Sequence, residues 1–151
     1  MKLLLDTIDR LGGIVSRRQL LAWGVDPGTI DLAAWYGWFV IRVRKGWYAR
    51  ADESSDVLRA WRVGGRLTCV SALAYHAGEA DGAVLHVEVV NGSCQLRDPD
   101  NATKRLGPDA RVIVHWTRHP GPGTERAVTE MHAVAVAAVC GTRGAGVARP
   151  S

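Results

Sequence analysis

The sequence predicts an α+β chain with an N-terminal lobe over residues 1–50 and a small α/β lobe over residues 51–143. Three observations predict it. Apolar residues recur at helical spacing in short stretches before residue 38, a β-rich hairpin follows at once, and two strand-like runs with a closing helical stretch occupy the rest. Length agrees, since 151 residues with 47% hydrophobic content suit one compact unit or two small lobes sharing a core.

Residues 2–11 give the first expected helix, with Leu4, Leu5, Ile8 and Leu11 at helical spacing and Gly12-Gly13 stopping it. Ile14-Val15 makes a short extended segment. Ser16 with Gln19 three residues later is a capping box, and Val15 with Leu20 supplies the hydrophobic staple. A second helix therefore runs from Arg17 to about Trp23 and ends at Gly24. Asp26 caps the third helix, and Pro27 takes its first position, where a missing N–H costs nothing. That helix ends near Gly37 and turns Ile30, Ala33 and Ala34 inward. Its outward positions hold Pro27, Gly28, Asp31, Leu32, Trp35 and Tyr36. Residues 39–43 form a strand, Lys45-Gly46 turns it, and Trp47-Tyr48-Ala49 returns. Three short helices followed by a hairpin is the pattern of a winged helix-turn-helix.

In the second lobe, residues 56–63 form a helix closed by Gly64-Gly65, and Ser71 caps another over residues 72–76, closed by Gly78. Residues 84–90 alternate as a strand. Residues 95–109 are a polar loop, and residues 111–116 form a second strand, antiparallel to the first. Thr124 caps a C-terminal helix over residues 125–140, whose Val128, Met131, Ala135 and Val139 stripe faces a core, with Glu125 and Glu130 on its solvated side. Residues 144–151 read as a disordered tail.

No stretch of about 18 apolar residues exists to span a membrane. The opening MKLLLD has too short an apolar run for a signal peptide and meets Asp6 at once, so a cytoplasmic protein is expected. Cys69, Cys94 and Cys140 are odd in number and widely separated, with neither a CxxC pair nor zinc spacing, and read as buried thiols in a reducing compartment. Among the histidines only His115 and His119 are close, but on a strand running into a loop they do not share a face. No phosphate-cradling glycine loop follows a strand, and no Ser-His-Asp or Cys-His arrangement emerges. The sequence thus predicts a non-enzymatic protein with no catalytic residue, no metal and no cofactor.

Charge placement points elsewhere. Of 19 basic and 15 acidic residues, residues 1–50 hold eight and four, leaving eleven of each in the remainder. The whole excess of +4 lies in the first third, where a polyanion would dock.

The element order, with GGIVSRRQLLAWGV (residues 12–25), the Thr29-Ile30 entry into the third helix and FVIRVRKGWYA (residues 39–49), resembles the AbiEi-type antitoxin winged-helix family and its actinobacterial and phage relatives. Weaker echoes are SALAYHAG, LHVEV, VIVHW and the segment beginning ERAVTE. The resemblance implies a DNA-binding N-terminal lobe, with promoter binding and toxin neutralisation shared between the lobes. The chain ends where longer relatives carry a nuclease domain, so no nuclease is inferred. It also departs from the family on the third helix, whose outward positions are commonly basic there and are neutral, apolar or acidic here.

Two surfaces follow. Arg17 and Arg18 at the start of the second helix, Thr29 on the third, and Arg42, Arg44 and Lys45 in or beside the hairpin are the candidate DNA contacts, mainly to phosphate. Leu32, Trp35, Tyr36 and Trp38 form the other. They either pack against the hairpin or second lobe, or stand exposed as an anchor for a toxin or host protein, or stack on single-stranded bases. A homodimer through the aromatic face is compatible with either function.

Overall fold

The computed structural model describes residues 1–79 and 84–143, and the expected tail over residues 144–151 lies outside them. The chain is mixed α+β and divides into two compact units, Met1–Ser54 and Ser55–Ser151.

In the first unit, α1 (Lys2–Arg10), β1 (Ile14–Ser16), α2 (Arg17–Ala22) and α3 (Pro27–Tyr36) precede the hairpin β2 (Val40–Arg44) and β3 (Trp47–Arg50). The three strands form one antiparallel sheet in the order β1-β3-β2. The local chemistry sets these boundaries. Ser16 Oγ accepts from the Gln19 N–H (3.1 Å) while Gln19 Oε1 accepts from the Ser16 N–H (2.8 Å), so two orphan donors are satisfied reciprocally. Asp26 Oδ2 accepts from the Thr29 N–H at 3.1 Å, Pro27 opens α3, and Gly37 closes it in the left-handed conformation at φ 70°. Leu4, Ile8, Val15, Leu20, Val25, Ile30, Ala33, Val40 and Tyr48 interlock as the core, with Leu5, Leu11 and Ala34 packed at its margin.

The second unit contains α4 (Ser55–Val63), β4 (Arg66–Leu67), α5 (Cys69–His76), β5 (Leu85–Val90), the small hairpin β6 (Arg97–Asp98) and β7 (Asn101–Arg105), β8 (Val112–Thr117) and α6 (Glu130–Arg143). Its main sheet runs β4-β5-β8. Here the structure corrects five expectations. β8 lies parallel to β5, not antiparallel, with His86 opposite Ile113 and Glu88 opposite His115. Residues 91–111 are long enough to carry the chain back for a parallel partner, and the expected loop itself folds into the β6–β7 hairpin. α5 starts at Cys69 rather than after Ser71, because Ser71 is buried and its hydroxyl accepts from the His86 N–H at 2.8 Å, tying helix to strand.

The last helix starts at Glu130, not Glu125. Residues 126–128 instead run beside β4, with the Leu67 N–H donating to Arg126 O (3.1 Å) and the Val128 N–H to Leu67 O (3.0 Å). That shift of start rotates the helix relative to the expected stripe: Met131 and Val139 are exposed, whereas Ala133 is buried and Val136, Ala137 and Cys140 follow it on the half-buried face.

Gly65 is needed where α4 meets the sheet, because a Cβ there would overlap the Glu88 backbone carbonyl. Gly65→Ala is expected to cost about 2–3 kcal/mol, read as a lower urea midpoint with unchanged m-value. An unchanged midpoint would show that β5 tolerates displacement at this point.

Candidate functional site

On the first unit the sequence-predicted residues separate into two surfaces. Arg17, at the start of α2, is held by α3: its guanidinium donates to both Asp31 oxygens (2.7 and 3.4 Å) and to the Tyr48 hydroxyl (3.4 Å). The Asp31 hydrogen bond, then that of Tyr48, raises the Arg17 pKa further above its already high value. Arg17 therefore spends much of its bonding capacity inside the fold, and Asp31 is drawn to that partner. The Arg17 backbone N–H also donates to Gly46 O at 2.9 Å, docking the hairpin tip against the start of α2. Arg18, Arg42 and Lys45 are exposed, while Thr29 and Arg44 are half-buried.

The aromatic group is not packed away. Trp35 is 84% and Trp38 72% exposed, and Leu32, Tyr36 and Phe39 are each more than half exposed. Tyr36 and Trp38 lean on one another with ring centroids 5.0 Å apart. Packing against the hairpin of the same unit therefore does not bury these side chains.

The second unit holds a constellation that the sequence did not disclose. Paired residues in a parallel ladder point to the same face, so His86, Glu88, Ile113 and His115 share one side of the β5–β8 pair. His86 Nδ1 and His115 Nε2 lie 3.0 Å apart. Cys140 Sγ, from α6, is 4.0 Å from the first nitrogen and 3.9 Å from the second. Cys69, at the start of α5, completes a group whose four donor atoms all lie within 4.8 Å of one another. Cys69 and His86 are buried, His115 and Cys140 half-buried. Burial, then the neighbouring His86, pushes the His115 pKa down to about 4, leaving that ring neutral with a lone pair to offer at neutral pH. Cys69 has the only positive φ among the described non-glycine residues, 55°, a conformation that costs an L-residue about 1–2 kcal/mol. The expectation of separate buried thiols and isolated histidines is thus corrected: two of the three cysteines and two histidines converge. His115 pairs with His86 rather than with His119, which is exposed on the following loop. Cys94 stays apart and exposed.

Further along the same strand face, Glu88 is buried and accepts from Arg66 Nε at 3.0 Å and from the Gly121 N–H at 3.3 Å. Arg66 also donates to the carbonyls of Gly121 and Thr124, pinning the loop that follows β8. Each charge is paired and the remaining donors find carbonyls, which is how a buried ion pair is tolerated.

No protein-family model matches the chain, and no curated protein matches it. Among the described residues no helix is long and apolar enough to cross a membrane.

Removing one member of the Arg66–Glu88 pair strands the other. Glu88→Leu is expected to destabilise the protein by about 3 kcal/mol, and adding Arg66→Met to recover most of that loss, as measured by urea unfolding. Equal losses in the single and double variants would mean that the loop contacts of Arg66, not the ion pair, carry the effect.

Proposed function

We propose that Met1–Ser54 acts as a winged helix-turn-helix and that the chain is a non-enzymatic, DNA-binding regulator of the kind found among AbiEi-type antitoxins, working in the cytoplasm in a phage or mobile-element setting. The observation that carries this reading is the docking of the Lys45-Gly46 hairpin tip on the start of α2 through the Arg17–Gly46 bond. It puts Arg42, Arg44 and Lys45 on the same framework as Arg18, in the part of the chain that holds all the excess positive charge. Such a surface follows phosphates, which supply affinity without sequence choice. α3 contributes little to reading bases: Thr29 is half-buried, Asp31 is occupied by Arg17, and its outward side is apolar. The wing and α2 lead, and α3 is subordinate.

The expected behaviour is micromolar binding to duplex DNA at low salt that weakens steeply as salt rises, followed by fluorescence anisotropy. Arg42→Glu with Lys45→Glu should weaken it about tenfold or more and lower the log–log salt slope by about 2, one for each phosphate that is no longer neutralised. No micromolar binding to any duplex at low salt, the DNA upstream of its own gene included, would sink the proposal.

A second reading is favoured by one observation, the exposure of Trp35 and Trp38. Large aromatics are costly to leave in water and dominate interface hot spots, so the Leu32/Trp35/Tyr36/Trp38 face suits a protein partner such as a toxin, a host factor or a second copy of the chain. In that case Trp35→Ala abolishes partner capture in a pull-down while Arg44→Glu with Lys45→Glu leaves it intact. The opposite pattern favours DNA.

A further inference from the structure

The geometry points to a structural zinc site in the second unit, in which Cys69, His86, His115 and Cys140 bind one ion tetrahedrally. The donor separations match what one ion requires. Zinc with nitrogen ligands at about 2.0–2.1 Å and thiolates at about 2.3 Å sets tetrahedral edges of about 3.3 Å between nitrogens, 3.6 Å between nitrogen and sulfur and 3.8 Å between sulfurs. The measured separations are 3.0 Å for the nitrogen pair and 3.9–4.0 Å from Cys140 Sγ to each nitrogen, with no pair beyond 4.8 Å. Small side-chain rotations bring all four atoms onto one ion.

Chemistry then selects the ion. Two thiolates and two neutral imidazoles balance a divalent charge, which allows the site to be taken largely out of water. A two-sulfur, two-nitrogen tetrahedron suits zinc, whereas calcium and magnesium require oxygen donors. A two-iron cluster would hold the His pair and the Cys pair on separate irons, and the closeness of Cys140 Sγ to both imidazoles fits a single metal instead. Four protein ligands leave no position for water or substrate, so the site is structural and not catalytic.

The surroundings agree. Cys69 opens α5, where the helix N-terminus favours a thiolate. Ser71 of the same helix accepts from the His86 N–H, fixing the strand position from which that imidazole projects. The ligands come one each from α5, β5, β8 and α6, so the ion would cross-link two strands and two helices of the second unit.

The test uses the full chain, purified without chelator from zinc-supplemented cells, with metal measured by mass spectrometry. About one zinc per chain is expected. Cys140→Ser and His115→Ala should each lower that content about tenfold or more, while Cys94→Ser leaves it unchanged. Replacement by cobalt(II) should give the intense visible bands of a tetrahedral ion together with thiolate-to-cobalt charge transfer. A folded wild-type chain, verified by circular dichroism, that takes up no zinc and shows only the weak spectrum of octahedral cobalt overturns the assignment. Full zinc content in Cys140→Ser overturns it as well.

Discussion

The parallel pairing of Leu85–Val90 with Val112–Thr117 is the constraint on which the second unit depends. It fixes which residues of the two strands share a face. His86 and His115 are thereby set side by side, with Glu88 between the pair and the loop at residues 120–125. Everything that packs on that face answers to this register. Arg66 reaches Glu88 from the antiparallel neighbour β4, Cys69 arrives at the head of α5, and Cys140 comes from α6. A slip of one residue in β8 would turn His115 to the opposite face and undo the cluster. The energy scale explains why such a site matters: structural zinc contributes on the order of 10–16 kcal/mol, comparable with the whole stability of a small domain at about 5–15 kcal/mol.

The first unit follows a different logic, in which core and working surface are nearly independent. Ile30 and Ala33 on α3 are fully packed, so the helix is held whatever its outward side carries. That outward side is aromatic and aliphatic, and the Asp31 carboxylate is turned toward Arg17 rather than toward a ligand. Of the candidate phosphate contacts, Arg18, Arg42 and Lys45 are the exposed ones. Three short helices and a hairpin thus carry exposed cations, Arg18, Arg42 and Lys45, and an exposed apolar side of α3 on a single small scaffold.

What the sequence disclosed follows from the range of the interactions. Local chemistry was legible: the Ser16/Gln19 box, the Asp26-Pro27 start, the Gly37 stop and the Ile30/Ala33 face all act within a few residues. Non-local facts were not. The direction of β8 depends on the path of residues 91–111, and the true start of α6 depends on residues 126–128 adding beside β4. The Cys/His cluster was missed for the same reason. Its members are separated by 29 residues between the histidines and 25 between His115 and Cys140, with each on its own element, so no short ligand spacing announces it. The available signal was weaker: a histidine at an inward strand position is an unusual choice for a core, and here two parallel strands each carry one.

The most direct test of the zinc site is X-ray absorption at the zinc edge of the purified protein, which reads ligand type and distance without relying on any variant. Two sulfur scatterers at about 2.3 Å and two imidazole nitrogens at about 2.0–2.1 Å would show that four distant residues close on one ion. A first shell of oxygen and nitrogen alone, without sulfur, would contradict it.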